Sequence, residues 1–184
     1  MDEKIFNKGY KYNPIKTKRL ILVKPDLKHV TGLYQLYEDK ALWIYNGGSK
    51  DIKNSRKIAE KQILRKMDVF KKRKSVSFHI IHDNKLIGTM GIFSIITDFK
   101  RCEIGFMLLS DYWNKGLMSE ALKEFTKFIF ENTCIKRIAA EACTKNIGSV
   151  KVLEKNKFKR EGILKKSAIY NGKVHDNYMY ALLK

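Results

Sequence analysis

The residues from Asp111 to Leu122 have the types and the spacing expected of a phosphate-binding turn. An apolar run at 104–109 precedes them and is short enough to form a buried strand. Apolar residues then recur at helical spacing, at Ala121, Leu122, Phe125, Phe128 and Ile129. A strand therefore enters a turn that contains Gly116 and leaves it as a helix. The first N–H groups of such a helix are unpaired and its dipole is positive at that end, which predicts a phosphate site.

The length and composition of the chain predict one domain with a hydrophobic core. The chain has 184 residues, of which 44% are hydrophobic, and these are ordinary values for a globular domain. No apolar run reaches the roughly 18 residues that suggest a membrane-spanning helix. The first residues also lack the apolar core of a signal peptide. We therefore expect a cytoplasmic protein without a membrane partner.

The net charge of the chain is unusually positive. Lys and Arg number 38 against 19 Asp and Glu, which gives a formal charge of +19. Such a charge attracts polyanions and small acidic ligands. The basic residues are mostly Lys and are spread along the chain, without an arginine cluster, an RNP-like motif or a helix-turn-helix pattern. We favour an anionic cofactor over dedicated nucleic-acid binding, which we do not expect.

The cysteine and histidine spacings predict neither disulfides nor a metal site. The three cysteines and four histidines are widely separated and form no C-x-x-C or Cys/His metal pattern. They are Cys102, Cys134, Cys143, His29, His79, His82 and His175. We expect reduced thiols and no bound metal.

Hydrophobic periodicity and turn signals predict the order β α α β β β α β α β β, a mixed α/β domain. The predicted strands are 17–24, 76–82, 86–96, 102–109, 136–143, 158–170 and 174–183, with Asn171-Gly172 as a hairpin turn between the last two. The predicted helices run from an Asp26 cap through Tyr37, from Asp51 or Asn54 to about Lys72, from the phosphate turn to about Asn132, and from Asn146 or Ser149 to about Asn156. Residues 1–16 are polar and predict a loosely packed N-terminal arm before a single domain at 17–184.

Several short motifs, in this order and spacing, resemble the GNAT superfamily of acetyl-CoA-dependent N-acetyltransferases. Within it they resemble the branch of the Rim-type ribosomal-protein N-terminal acetyltransferases. The matching segments are 17–22, 87–92, 103–106, 112–116, 119–122, 136–138, 146–149, 152–155, 158–162 and 180–183. The resemblance implies an α+β fold, with a twisted, mostly antiparallel mixed sheet of about six to seven strands flanked by about four helices.

The resemblance also implies where acetyl-CoA would bind. The superfamily's pyrophosphate loop falls on Trp113 to Met118, and the strand before it pairs with the pantetheine arm. The implied cofactor-binding residues are Phe106, Met107, Leu108, Asn114, Lys115, Gly116, Leu117, Met118, Ser119 and Asn146. Asn146 could equally be a helix cap, and Lys115 a solvated side chain. Asn114 and Met118 depart from the family pattern, which usually has Gly at the first position and Ala or Gly at the second.

Two residues are implied catalysts. Glu103 lies on the strand before the loop, where many family members carry the carboxylate that deprotonates the amine. Partial burial there could raise its pKa toward that task, although an ion pair with Arg101 is the alternative. Ser149 matches a serine near the thioester sulfur, and could instead only begin the helix. Ala168 stands where ribosomal-protein-acetylating relatives have Glu, and Leu153 where spermidine-acetylating relatives have Tyr.

Substrate selection is expected from three aromatic residues, Trp43, Tyr45 and Tyr170, which could instead belong to the core. The implied reaction is direct attack by a substrate amine on the acetyl thioester, without a covalent enzyme intermediate. The acceptor stays open between a protein N-terminus, a small-molecule amine and an amino sugar carried on a nucleotide. A non-catalytic acyl-CoA binder and an RNA- or ribosome-binding protein are alternatives of another class. The oligomeric state is also open, with a homodimer as one alternative.

Overall fold

The computed structural model describes residues 5–45, 56–170 and 172–184. Its eight strands are β1 (Ile15–Lys16), β2 (Ile21–Val23), β3 (Ser77–His82), β4 (Lys85–Ile96), β5 (Arg101–Leu108), β6 (Arg137–Cys143), β7 (Lys159–Tyr170) and β8 (Lys173–Leu183). Its four α-helices are α1 (Val30–Glu38), α2 (Arg56–Lys71), α3 (Leu117–Asn132) and α4 (Ile147–Lys155). None of these helices combines the length and apolar character needed to cross a membrane.

All eight strands form one mixed sheet in the order β1-β2-β3-β4-β5-β6-β8-β7. Every neighbouring pair is antiparallel except β5 with β6, which is parallel. The parallel pair is short because only Arg101–Glu103 pairs with Arg137–Ala139. Beyond these residues the two strands separate, and the rest of β5 stays paired with β4 while the rest of β6 stays paired with β8.

Successive strand residues point to opposite faces of the sheet, so the strands carry apolar side chains on both faces. Helices cover both of these faces. On one face the larger hydrophobic cluster joins the strands to α3 and α4 through residues such as Ile104, Phe125 and Leu153. On the other face a smaller cluster joins α1 and α2 to β4, with Leu33 and Ile63 fully buried. The phosphate turn predicted from sequence thus lies between β5 and the helix that covers the larger cluster.

The predicted α+β fold is confirmed, and the strand count is corrected from about seven to eight. The additional strand is β1, at the end of the N-terminal arm. The first predicted strand shortens from 17–24 to β2, because Thr17 turns the chain: its N–H donates to the Leu20 carbonyl at 2.9 Å. The predicted caps Asp51 and Asn54 of α2, and Asn171 of the hairpin, lie outside the described residues.

The prediction of a loosely packed arm is wrong for its described part. Ile5 and Phe6 are buried, and the Phe6 ring stacks on Tyr10 with 4.4 Å between centroids. The Ile5 N–H donates to the carbonyl of Arg73, and its own carbonyl accepts from the N–H of Cys134. Two apolar residues and their backbone hydrogen bonds therefore fix this segment to the core, although most of its other residues are polar.

Candidate functional site

The edge of β5 that faces β6 is open beyond Glu103, and this edge carries the predicted backbone contacts. The Leu109 N–H donates to Ile87 of β4, so the backbone groups of Phe106 and Leu108 turn the other way, toward the gap. The carbonyl of Met107 faces β4, since a Cβ added at Gly88 would lie 2.4 Å from it. Of the three predicted residues, Phe106 and Leu108 present backbone groups to the gap, and the prediction for the Met107 backbone is wrong.

The loop between β5 and α3 takes two left-handed residues in close succession. Asn114 has φ +59° and Gly116 has φ +72°, a region that glycine and, more than most other residues, asparagine adopt. Gly116 then begins α3, and its carbonyl accepts the N–H of Glu120. The N–H groups of residues 117–119 therefore have no acceptor within the helix, as expected of an anion site.

The two departures from the family loop have structural explanations. Asn114 occupies the left-handed conformation that a glycine would otherwise supply. The side chain of Met118 is 5% exposed and belongs to the larger hydrophobic cluster, so it points into the core. The side chain of Lys115 lies over the ring of Tyr112 at 5.4 Å rather than lining the groove beside the loop. The loop can thus offer backbone N–H groups without these side chains blocking them.

Three contacts that sequence reasoning missed hold the loop in place. Arg19 donates from Nη1 to the carbonyl of Lys115 at 3.0 Å, and its Nε lies 2.8 Å from Oε2 of Glu120 in the first turn of α3. Thr17 Oγ1 donates to the same carboxylate at 2.5 Å. Burial alone would raise the pKa of Glu120, but the hydrogen bonds from Thr17 and Arg19 and the Arg19 charge hold it below its ordinary value. The turn before β2 is therefore a clamp on the loop.

A groove of about 540 Å³, which we call the loop groove, runs beside this loop. It is lined by Phe106–Leu108 of β5, by the first turn of α3 and by Asn146–Ser149 at the start of α4. Asn146 caps α4, because its Oδ1 accepts the N–H of Ser149 at 3.1 Å. The helix-cap interpretation of Asn146 is therefore correct, and the cap also places Asn146 and Ser149 on the wall of the groove.

A second cavity of about 460 Å³, which we call the carboxylate pocket, adjoins the loop groove. The two share five lining residues, namely Tyr45, Phe106, Met107, Asn146 and Ser149. Glu103 lines the carboxylate pocket together with Glu141 of β6. The predicted catalytic residues Glu103 and Ser149 thus meet at one pocket, and Ser149 lies where the pocket joins the groove.

The environment of Glu103 fits a proton acceptor. Its carboxyl pKa is raised by burial and then by the negative charge of Glu141, while Arg101 opposes the shift. No ion pair between Glu103 and Arg101 forms in the described part of the chain. The alternative interpretation of Glu103 as the partner of Arg101 is therefore not supported.

The three predicted substrate-binding aromatics do not all reach the pocket. Tyr45 and Tyr170 line it. Trp43 lines neither cavity: its Nε1 donates to the Tyr37 carbonyl at 2.8 Å, and its ring lies 6.2 Å from that of Tyr37. The prediction for Trp43 is therefore wrong, because packing on α1 turns its indole away from the pocket.

Sequence reasoning also missed Glu141 and Asn177 in the carboxylate pocket. Asn177 is buried, and its Nδ2 donates to Oε2 of Glu141 at 3.0 Å. The hydroxyl of Tyr170 donates to Oδ1 of Asn177 at 3.2 Å. No group of three His, Cys, Asp or Glu side chains suited to a metal ion occurs among the described residues. The site is therefore a carboxylate, hydroxyl and backbone N–H site beside a groove suited to phosphate.

Comparison with known proteins identifies the family of the chain. The domain family described as acetyltransferase (GNAT) domain matches residues 19–159. An uncharacterized N-acetyltransferase of Bacillus licheniformis, p20, is 29% identical over 170 residues, covering 91% of this chain and 94% of p20. The ribosomal-protein-serine acetyltransferase of Escherichia coli (strain K12) is 25% identical over 154 residues, covering 83% and 86%.

A solved structure of RimL, a ribosomal L7/L12 α-N-protein acetyltransferase in complex with coenzyme A, superposes with a TM-score of 0.86. The superposition covers 93% of this chain and 98% of that one, at 24% sequence identity. At this identity the likeness establishes the shared fold.

Proposed function

Because the chain belongs to the acetyltransferase (GNAT) domain family, we propose that it acetylates the α-amine of a peptide or protein N-terminus. The chain is an acetyl-CoA-dependent N-acetyltransferase, and acetyl-CoA is its acetyl donor. The observation that carries the proposal is the junction at Ser149, where the loop groove opens into a pocket that contains Glu103. A donor in the groove and an amine in the pocket would meet there.

The loop groove supplies the contacts that acetyl-CoA needs. The free N–H groups of residues 117–119 and the dipole of α3 would hold the pyrophosphate. The backbone groups of Phe106 and Leu108 that face the gap would pair with the pantetheine amides, as a further strand does at a sheet edge. Asn146 lines the same groove and would contact the pantetheine arm near the junction.

The carboxylate pocket supplies the proton transfers. The acceptor is an ammonium ion in water, and it must lose a proton before its nitrogen can attack the acetyl carbon. Glu103, with its raised pKa, would accept that proton. The N–H of Phe106 would donate to the carbonyl oxygen as negative charge develops on it, and the Ser149 hydroxyl would return a proton to the departing thiolate. The reaction needs no covalent enzyme intermediate.

The principal test is an acetyl-transfer assay that measures CoA release with a panel of acceptors. The panel contains a short peptide with an N-terminal serine, the same peptide already N-acetylated, spermidine, and an amino sugar linked to a nucleotide diphosphate. We expect release with the free peptide, and mass spectrometry should find the acetyl group on its α-amine. CoA binding without turnover on any amine would instead identify a non-catalytic acyl-CoA binder.

The net charge of +19 supports a separate hypothesis, RNA or ribosome binding. Binding of a structured RNA would be measured from low to high salt, with and without CoA. Tight RNA binding in a protein without acetyl transfer would favour this alternative. Weak RNA binding that CoA displaces would be nonspecific attraction to the groove that holds the cofactor.

A further inference from the structure

Two carboxylates lie on the same face of neighbouring strands where the sheet begins to open. Glu103 pairs with Ala139 across the parallel strands, so the two side chains share a face. Glu141 is two residues further along β6 and therefore points to that face as well. Both line the carboxylate pocket, and the charge of Glu141 is felt at Glu103, where it raises the carboxyl pKa after the larger effect of burial.

Glu141 is fixed in place by a buried hydrogen-bond chain. Asn177 is 3% exposed, and its amide is oriented by two partners, the Glu141 carboxylate at 3.0 Å and the Tyr170 hydroxyl at 3.2 Å. A buried amide is costly unless it is hydrogen-bonded, so the chain holds the carboxylate in one place. Glu141 itself is exposed and so remains accessible to an incoming ligand.

The local charge of the pocket is opposite to that of the molecule. Among the residues that the structure describes, its lining contains two carboxylates, Glu103 and Glu141, and one ammonium group, Lys66 of α2. Burial lowers the pKa of Lys66, and the neighbouring charge of Arg65 lowers it further. Arg101 acts on Glu103 from the same strand without lining the pocket. The chain as a whole has a net charge of +19 and attracts anions, whereas this acidic pocket attracts cations.

We propose that Glu141 is a specificity-determining residue which, together with Glu103, makes the pocket a receptor for a protonated primary amine. This inference rests on the proposed transfer reaction and names the charge state of its acceptor. The ammonium group has three N–H donors, which suits two facing carboxylates. A nucleotide-linked amino sugar carries a diphosphate, which these carboxylates would repel.

The proton balance of the reaction gives each carboxylate a distinct part. One N–H bond of the ammonium breaks and its proton goes to Glu103, while Glu141 stays ionised. The freed nitrogen lone pair forms the C–N bond, and the C–S bond breaks with its electron pair going to the CoA sulfur. A second N–H bond then breaks, and its proton reaches the sulfur by way of the Ser149 hydroxyl, which gives up one proton and gains another. The amide product is neutral and is no longer attracted to Glu141. It therefore dissociates from the pocket more readily than the protonated substrate does.

The test compares two peptide probes bound to the full chain saturated with CoA, by isothermal titration calorimetry. One probe has an N-terminal serine, and the other has 3-hydroxypropanoyl in its place and so lacks only the ammonium group. The wild type should prefer the first probe by about tenfold or more, and Glu141→Gln should abolish most of that preference. Glu131→Gln, on the exposed end of α3, makes the same charge change away from the pocket and should keep the preference.

Acetyl-transfer kinetics provide a second readout that a purely structural role would not change. Glu141→Gln should raise KM for the serine peptide by about tenfold while KM for acetyl-CoA stays unchanged. It should also move the acidic limb of the pH profile to lower pH, because removing the Glu141 charge lowers the pKa of Glu103. Tyr170→Phe, which frees Asn177, should give a smaller increase in KM.

The outcomes separate this inference from the function on which it rests. In one outcome the wild type transfers acetyl groups while the Glu141→Gln variant keeps the probe preference. This result would overturn the role of Glu141 and would still support the proposed enzyme activity. A preference that depends on Glu141, in a wild type that transfers no acetyl group, would support the ammonium receptor and overturn the proposed reaction. Equal binding of both probes to the wild type would overturn the ammonium receptor itself.

Discussion

Glu103 of β5 and Ala139 of β6 are the last paired residues between these two strands. Beyond them β5 runs to Leu108 and β6 to Cys143 without pairing to each other, so a gap opens in the sheet. The gap exposes one edge of β5, and Glu103 lies at its apex. The place where the sheet opens is therefore also where the proposed base lies.

Replacing Gly116 by Val should weaken CoA binding by about tenfold. Gly116 has φ +72°, where a non-glycine residue costs on the order of 1–2 kcal/mol and a β-branched residue more. The loop would relieve this strain by moving its N–H groups away from the pyrophosphate. Calorimetric titration of CoA into the variant measures the effect.

Gly9→Val is the matched control for that experiment. Gly9 has φ +84°, and a Cβ added there would meet no atom within 4 Å, but it lies in the N-terminal arm. Its replacement should lower the thermal stability by a similar strain and leave CoA affinity unchanged. Unchanged CoA affinity in Gly116→Val would contradict the position assigned to the pyrophosphate.

Glu103→Gln should lower kcat by about 100-fold or more, with little change in CoA affinity, because a general base contributes about 10²–10⁴. A base acts only when it is deprotonated, so the raised pKa of Glu103 places the acidic limb of kcat/KM above the pH expected of an ordinary glutamate. The variant should lose this limb. Initial rates across pH, with the Glu131→Gln variant as control, measure it.

Although Glu103→Gln should lower kcat, it should not lower the free energy of unfolding. A carboxyl whose pKa is raised by folding binds more protons in the folded state, so the free energy of unfolding falls as pH rises through that range. Removing the carboxyl removes this loss, and the variant should be at least as stable as the wild type at neutral pH. Lost CoA affinity together with lost stability would make Glu103 a structural residue.

Arg19→Gln should weaken CoA binding by about three- to tenfold, because the guanidinium holds both the Lys115 carbonyl and Glu120. A double-mutant cycle with Glu120→Gln should show that the two substitutions are not additive. Arg137→Gln removes a comparable ion pair, with Glu161, away from the loop and should leave CoA affinity intact. Equal affinities in Arg19→Gln and Arg137→Gln would show that the clamp does not act on the loop.

Incubation with labelled acetyl-CoA and no acceptor should leave the protein unlabelled, since the proposed transfer is direct. Burial raises the pKa of the Cys102 thiol to about 12, so little thiolate exists there at neutral pH. Cys143 is the other candidate for acetylation, because it lines the carboxylate pocket and its Sγ lies 3.7 Å from Nδ1 of His175. Intact-protein mass spectrometry makes the measurement. An acetyl group on either cysteine that is chased into product would replace direct transfer by a two-step reaction.

The sequence predicts the parts of the site that depend on neighbouring residues. Gly116 after a short apolar run, and Asn146 before another helix, give local signals of a turn and a cap, and both are found. Such signals depend on backbone conformation within a few positions, which periodicity and turn chemistry determine. The prediction for Glu103 has another basis, the family resemblance, which implies a carboxylate on the strand before the loop.

The parts that the sequence did not predict depend on contacts between distant segments. Arg19 and Glu120 are 101 residues apart, and Glu141 and Asn177 are 36 apart, so only the tertiary fold brings each pair together. The prediction for Trp43 rests on its aromatic type, which does not indicate the side to which the indole points. The hydrogen bond from its indole to the Tyr37 carbonyl determines that side. The buried Ile5 and Phe6 show the same limit within a polar arm.

A crystal structure of the complex with CoA tests the central claim most directly. We expect the pantetheine arm in the gap between β5 and β6, hydrogen-bonded to the backbone of Phe106 and Leu108. The pyrophosphate should contact the N–H groups of residues 117–119, and the sulfur should lie at the junction beside Ser149. CoA bound elsewhere, with the gap between β5 and β6 empty, would contradict the account.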